Sequence, residues 1–139
     1  MTDAFELSRF VEAQTAVYEQ ALAEIRSGRK RSHWMWFIFP QASGLGSSPA
    51  SQHFGIRSRA EAEAYLAHPV LGPRLIECAG AVLALHGVSA SDVFGYPDDM
   101  KLRSCATLFA QASQPASVFQ KLLDKYFESA ADPRTLELI

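Results

Sequence analysis

GRKRSHWMWFIFPQ, residues 28–41, is the stretch around which the rest of the chain is organised. It contains three cationic side chains, one histidine, both tryptophans of the protein and an unbroken run of six apolar residues. Large aromatic side chains carry too much apolar surface to stay in water, since burying one contributes roughly 1.5–3 kcal/mol. We expect the run to lie in the core. A strand would also place alternate residues on one face, but Ser32 as N-cap and Pro40 as a stop favour a buried helix of about two turns.

The same stretch lies in a window without acidic residues, between Glu24 and Glu61. That window holds six Lys and Arg residues, whereas the rest of the chain holds seven of them against fifteen Asp and Glu. Local positive potential attracts anions whatever the net charge, which is −2 here. Two interpretations are open. The cations are either the solvated end of a helix that Gly28 terminates, or one wall of a pocket for an anionic ligand.

The pocket interpretation assigns roles to nine residues. The candidate ligand-binding residues are Arg29, Lys30, Trp34, Trp36, Gln41 and Lys101. The candidate catalytic residues are His33, Asp98 and Asp99. Arg and Lys hold phosphate and carboxylate groups, indole rings stack on bases, and His and Asp side chains transfer protons. A structural interpretation of the two aspartates stays open beside it, because they would complement the positive end of a helix that begins near Pro97.

The glycine-rich loop after this stretch has a weaker signal. Gly44-Leu45-Gly46 followed by two serines could cradle a phosphate through backbone amides. The spacing matches neither of the common nucleotide-binding glycine motifs. A flexible connection is the simpler interpretation, because glycine and serine are the residues that turns and loops prefer.

Length and composition predict one globular domain over residues 1–139, with 48% hydrophobic and 20% charged residues. The first residues contain neither the basic nor the apolar segment of a signal peptide. Cys78 and Cys105 are isolated, so the sequence predicts neither a metal site nor a disulfide, and we expect no cofactor. The longest apolar run is far below the ~18 residues of a membrane span. A reduced cytoplasmic protein without a membrane segment fits these features best.

Helical periodicity dominates the chain. The pattern predicts helices near residues 7–27, 34–39, 58–67, 69–85, 89–94, 97–112, 117–127 and 132–136. Thr15 can cap a second piece of the first segment, which leaves a break near Gln14 open. No long alternating strand is present. The sequence therefore predicts a mainly α fold, a compact single-domain bundle of about six to eight helices, several of them short.

Several long strings of the sequence resemble the uncharacterised domain-of-unknown-function family 1810. They are GRKRSHWMWFIFPQ (28–41), GLG (44–46), YLAHPVLGPRL (65–75), FGYPDDMKLRS (94–104) and DPRTL (132–136). The resemblance covers nearly the whole chain and implies a compact, mostly helical protein, but no established activity. Members are sometimes labelled calpastatin. The helical pattern here does not resemble the extended, disordered inhibitor that this word denotes.

Two functional hypotheses follow. The first is a site for a phosphorylated or nucleotide-like anionic small molecule, with hydrolysis or glycosidic cleavage as a conceivable reaction. The second is a non-enzymatic interaction module whose basic face binds an acidic protein or nucleic acid. An isoelectric point near 6.1 and the lack of a DNA-binding motif argue against nucleic acid. The sequence leaves open the ligand, the oligomeric state, whether the protein is an enzyme and which tryptophan is buried.

Overall fold

The computed structural model describes residues 3–139, and these form ten helices. In chain order they are α1 (Ser8–Thr15), α2 (Tyr18–Arg26), α3 (Met35–Ile38), α4 (Pro49–His53), α5 (Arg59–Ala67), α6 (Leu71–Leu83), α7 (Ala90–Phe94), α8 (Asp98–Gln111), α9 (Val118–Tyr126) and α10 (Pro133–Leu138). Six of them have eight residues or more. The predicted mainly α fold is confirmed. The prediction about the N-terminal signal segment concerns in part residues 1 and 2, which lie outside the described residues.

Local capping sets several helix boundaries where the sequence predicts them. The Ser58 hydroxyl accepts a hydrogen bond from the Glu61 amide and begins α5. A carboxylate oxygen of Asp132 accepts one from the Thr135 amide and begins α10. Side chains of this type satisfy backbone donors that the first helical turn leaves without partners. These boundaries therefore depend on residues only three positions apart.

The end of α2 is also determined locally. Gly28 has a φ of +82°, in the left-handed region that glycine adopts at low cost. Its amide donates to the Ile25 carbonyl oxygen at 2.9 Å, and the Arg29 amide donates to the Glu24 carbonyl oxygen at 3.1 Å. This pair of bonds is a Schellman motif. It confirms Gly28 as the residue that ends the helix, and it turns the chain into the cationic segment.

The first predicted helix is broken in two. Helix α1 ends at Thr15 and α2 begins at Tyr18. The buried Gln14 side-chain amide near the break donates to the Phe37 carbonyl oxygen at 2.7 Å and to the Tyr65 hydroxyl at 3.0 Å. A buried amide of this kind is compatible with a stable fold because its polar atoms are hydrogen-bonded. Gln14 therefore connects the N-terminal helices to the aromatic run.

The aromatic run forms a shorter helix than the sequence predicts. Helix α3 covers one turn, Met35–Ile38, and Trp34 rather than Ser32 is its N-cap residue. Ser32 has other partners, because its backbone amide and its hydroxyl both donate to the Glu24 carboxylate, at 2.9 and 2.7 Å. The buried carboxylate thus withdraws Ser32 from the capping position. The prediction of a two-turn helix capped by Ser32 was wrong for this tertiary reason.

One hydrophobic core joins the helices, with α6 and α8 at its centre. Helix α8 packs against α5, α7, α9 and α10, and α6 packs against α2, α5 and α9. The closest approach is at Gly72, where an added Cβ would lie 2.1 Å from the Leu66 carbonyl oxygen. Glycine is required there, because any side chain would push α5 and α6 apart. Among residues 3–139, no helix is both long enough and apolar enough to cross a membrane.

Candidate functional site

A cavity of about 340 Å³ lies where the aromatic run, the glycine-rich loop and the start of α8 meet. It is lined by Trp36, Gln41, Leu45, Gly46, Pro97, Met100, Lys101, Ser104 and Asp132. A larger groove of about 670 Å³ lies on another face, between α5, α6 and α9. None of the nine residues predicted as site residues lines that groove. The smaller cavity is therefore the candidate site.

Backbone pairing fixes the segment that carries Gln41. The Ile56 amide donates to the Gln41 carbonyl oxygen, and the Ser43 amide donates to the Ile56 carbonyl oxygen, each at 2.8 Å. These two bonds form an isolated parallel bridge centred on Ala42. Since the backbone on both sides of Ala42 is paired, the position of the Gln41 backbone beside the cavity is fixed.

Gln41 is 5% exposed, yet its side-chain amide nitrogen Nε2 makes no hydrogen bond within the described residues. It is the one buried side-chain nitrogen or oxygen of residues 3–139 without a partner. Leaving a buried donor unpaired costs about 1–3 kcal/mol. Folded proteins seldom carry that cost without a reason. The unpaired donor belongs to a residue of the cavity wall.

Lys101 contributes positive charge beside an aromatic face. Its ammonium lies 4.1 Å from the centre of the Trp36 ring and 3.1 Å from Oδ1 of Asp98. The other oxygen of Asp98 lies 2.8 Å from the ammonium of Lys30, which is 5.1 Å above the Trp34 ring. Two lysines and one carboxylate give this cluster a net charge of +1. Cation–π contacts further stabilise the position of each lysine ammonium.

The charge cluster also fixes the ionisation of Asp98. Burial raises the pKa of its carboxyl group, but the hydrogen bonds and charges of Lys30 and Lys101 outweigh burial and hold the pKa below its usual value. Asp98 is therefore a carboxylate at neutral pH, with each of its oxygens paired to a lysine. This pairing orients Lys101 at the cavity wall.

A second carboxylate, Glu24, holds the cationic segment behind the cavity. It accepts hydrogen bonds from the backbone amides of Arg31 and Ser32, and from Trp34 Nε1 at 2.9 Å. Burial raises the pKa of Glu24, but these donors together with the Ser32 hydroxyl outweigh it and lower the pKa to about 2. The cation-rich loop is thus folded around an anion that belongs to the protein itself.

The family model of DUF1810, described as a protein of unknown function, matches residues 4–139. The chain belongs to the DUF1810 family. A crystal structure of the conserved hypothetical protein Rv1873 from Mycobacterium tuberculosis is 52% identical, with a TM-score of 0.96 over 99% of this chain and 98% of that chain. A comparison with curated proteins gives no match. The resemblance seen in the sequence is confirmed.

The fold of this DUF1810 chain brings three of the nine predicted residues to the cavity wall: Trp36, Gln41 and Lys101. Three more lie behind it. Asp98 contacts Lys101, Lys30 contacts Asp98, and Trp34 is buried under Lys30.

The remaining three predicted residues do not line the cavity. Arg29 and His33 have exposed side chains, and Asp99 is only partly buried. Oδ1 of Asp99 accepts from the Met100 amide within its own helix. No ion pair within the described residues joins His33 to Asp98 or Asp99. The geometry thus gives no support to proton transfer by His33 and Asp99, and those roles stay predictions.

Other residues of this DUF1810 site were not predicted as site residues. Asp132 and Ser104 line the cavity and bond to each other, the Ser104 hydroxyl donating to Asp132 Oδ2 at 3.0 Å. Both residues fall within strings that resemble the family, but neither the strings nor the helical pattern assigns Asp132 or Ser104 to a site. Gly46 lies against Trp36, since an added Cβ would be 3.6 Å from the indole ring and 3.0 Å from the Ser51 hydroxyl. No local pattern predicts these contacts.

Proposed function

We propose that this DUF1810 protein binds an anionic small molecule that carries a planar ring, such as a phosphorylated or nucleotide-like compound. The unpartnered Gln41 amide in the cavity wall is the observation that carries the proposal. A ligand acceptor placed there would remove the cost of a buried donor without a partner. The cavity volume of about 340 Å³ is at the lower end of the range for small-molecule sites.

Two further features support a ring with a negative charge. Trp36 is partly buried and borders the cavity, and Lys101 lies over one face of its ring, so a planar ligand would contact the part of the indole that the ammonium leaves uncovered. The Lys101 ammonium has three N–H donors, and Asp98 is paired with it. The ammonium therefore retains donors for a phosphate or carboxylate oxygen. Since the lysine–aspartate–lysine cluster carries a net positive charge, it favours an anion.

We propose binding rather than hydrolysis or glycosidic cleavage. Both oxygens of Asp98 are paired with lysines, which leaves this carboxylate poorly placed to accept a proton. His33 and Asp99 do not line the cavity. A catalytic acid–base pair would have to be within hydrogen-bond reach of the ligand.

The test is a thermal-shift and calorimetric titration with nucleoside monophosphates, ribose 5-phosphate and inorganic phosphate. Gln41→Leu is the informative variant, because it removes the unpaired donor at nearly constant volume. We expect it to raise the melting temperature of the free protein and to reduce ligand affinity about five- to tenfold, since one hydrogen bond is worth about 1–1.5 kcal/mol.

Lys101→Met should weaken anion binding, whereas Lys121→Met, on the exposed side of α9, is the matched control and should not. The proposal fails if none of these compounds binds the wild-type protein. It fails equally if Gln41→Leu and Lys101→Met bind as tightly as the wild type does.

A second candidate function is supported by the exposed part of the cationic segment. Arg29 and Arg31 have exposed side chains and form no ion pair within the described residues. An acidic protein surface or a nucleic acid could bind there. A gel-shift titration at two salt concentrations tests the nucleic-acid case, because binding through phosphates weakens steeply with salt. If Arg29→Ala combined with Arg31→Ala leaves every interaction unchanged, this candidate is excluded.

A further inference from the structure

Two groups in the cavity wall retain hydrogen-bonding capacity of opposite kinds. Gln41 Nε2 is a donor without an acceptor. Asp132 supplies the complementary acceptor, since it lines the same cavity and its negative charge strengthens hydrogen bonds to N–H groups. The residues of this wall, which also include Trp36, therefore supply one unpaired donor and one charged acceptor.

The contacts of Asp132 show which of its oxygens is free. Oδ2 accepts from the Ser104 hydroxyl at 3.0 Å, the Thr135 amide at 3.3 Å and the Thr135 hydroxyl at 2.5 Å. The Asp132 amide in turn donates to the Thr107 hydroxyl at 2.9 Å. Within the described residues no hydrogen bond ends on Oδ1. The carboxylate is thus held rigidly by one oxygen, while the other keeps its accepting capacity.

We propose that the cavity recognises an amide group on a planar ring, meaning a C=O next to an N–H, and this inference rests on the proposed function. The carbonyl oxygen would accept from Gln41 Nε2, the N–H would donate to Asp132 Oδ1, and the ring would lie against Trp36. Lys101 would hold the anionic part of the same molecule.

The chemistry of the two wall groups favours an amide over two alternatives. A carboxylic acid in place of the amide has no N–H and brings a negative charge towards Asp132, which costs free energy. An amidine edge, as in adenine, offers Gln41 a ring nitrogen instead of a carbonyl oxygen. The N–H of an amide is polarised by its carbonyl and is the better partner for a charged acceptor.

Two kinds of compound carry this shared chemistry, and the experiment separates them. Inosine 5′-monophosphate has a ring lactam, and nicotinamide mononucleotide has a primary carboxamide. Their controls are adenosine 5′-monophosphate, which has the amidine edge, and nicotinic acid mononucleotide, which has a carboxylate. Calorimetry with the full chain should show at least one amide compound binding about tenfold or more tightly than its control. The one that does identifies the kind of ring.

Asp132→Asn is the decisive variant, because asparagine is as good an N-cap as aspartate and should preserve α10. It replaces the free acceptor by an N–H donor and removes the charge. We expect amide compounds to lose about tenfold in affinity and nicotinic acid mononucleotide to gain. A purely structural role of Asp132 would not reverse a ligand preference. Asp124→Asn, on exposed α9, is the matched control.

The outcomes separate this inference from the proposed function. If adenosine 5′-monophosphate or ribose 5-phosphate binds as tightly as the amide compounds, and Asp132→Asn changes no preference, amide recognition is wrong while anion binding in the cavity stands. If none of the compounds binds, both fail.

Discussion

Trp34 and Trp36 are two residues apart in one aromatic run, and each lies under a lysine ammonium, yet they belong to different parts of the molecule. Trp34 is 1% exposed and packs against Phe39 and Phe94 in the core. Trp36 is partly exposed and lines the cavity. Their partners account for the difference, because the Trp34 indole nitrogen donates to the buried Glu24 carboxylate.

This comparison shows how one stretch serves both the fold and the site. The Trp34 side holds the core together through Glu24, which draws the cationic loop inwards. On the Trp36 side, the residues Trp36, Gln41 and Lys101 line a cavity. Substitutions on the first side should therefore lower stability, and substitutions on the second should alter binding.

The largest effect is expected from truncating the two tryptophans. Trp34→Ala should lower the free energy of unfolding by about 3–5 kcal/mol, because it leaves a cavity in the core and an unpaired acceptor on Glu24. Trp36→Ala should lower it by about 1 kcal/mol, since that ring is partly exposed already. Urea unfolding measures the two losses of free energy, provided that the m-values of the variants equal that of wild type. Equal losses would mean that the two rings do not divide into core and cavity.

A smaller effect is expected from Glu24→Gln, about 2–3 kcal/mol at pH 7, because a neutral amide cannot accept from all the donors that converge there. The pH dependence identifies the cause. The pKa of Glu24 is about 2 in the folded protein and near 4.5 when unperturbed. The stability that its charge provides is therefore complete above pH 4.5 and is lost as the pH falls towards 2.

Unfolding free energies of wild type and Glu24→Gln should thus converge between pH 4.5 and 2. Glu12→Gln, the same substitution at an exposed position of α1, is the control, and its unfolding free energy should stay close to that of wild type over this range. A gap between wild type and Glu24→Gln that stays constant over this range would show that the charge of Glu24 contributes little.

The smallest effect is expected from the exposed ends of the stretch. Arg29→Ala and His33→Ala should each change the free energy of unfolding by less than about 0.5 kcal/mol, as is usual for solvated side chains. They should also leave the affinity of the cavity within about twofold, because neither residue lines it. A large loss of affinity in His33→Ala would support His33 as a site residue. It would also contradict the assignment of the Trp34 side to the core and the Trp36 side to the cavity.

Local signals predicted much of the fold. Several helix ends depend on hydrogen bonds between residues close in the chain, so the capping residues can be inferred from the sequence. They are Ser58, Asp132 and Gly28. Ser32 shows the limit of such inference. It has the right residue type for an N-cap, but the tertiary contact with Glu24 takes its hydrogen bonds.

The candidate site was only partly predictable for the same reason. Composition drew attention to Trp36, Gln41 and Lys101, because aromatic, polar and cationic residues rarely cluster without cause. Nothing near Asp132 in the sequence indicates that it lines the same cavity as Gln41. That placement depends on the packing of α8 against α10 and on the bridge at Ala42.

The sequence by itself determined the helical class, most helix ends, the family and the cationic–aromatic character of one segment. Those properties depend on periodicity and on contacts between residues close in the chain. Both can be inferred directly from the order of residues. Only the tertiary structure decided which tryptophan is buried, which carboxylate binds the loop and which side chains share a cavity. These outcomes depend on contacts between residues far apart in the chain. Which groups are buried and which hydrogen bonds form is determined only when the complete fold has packed.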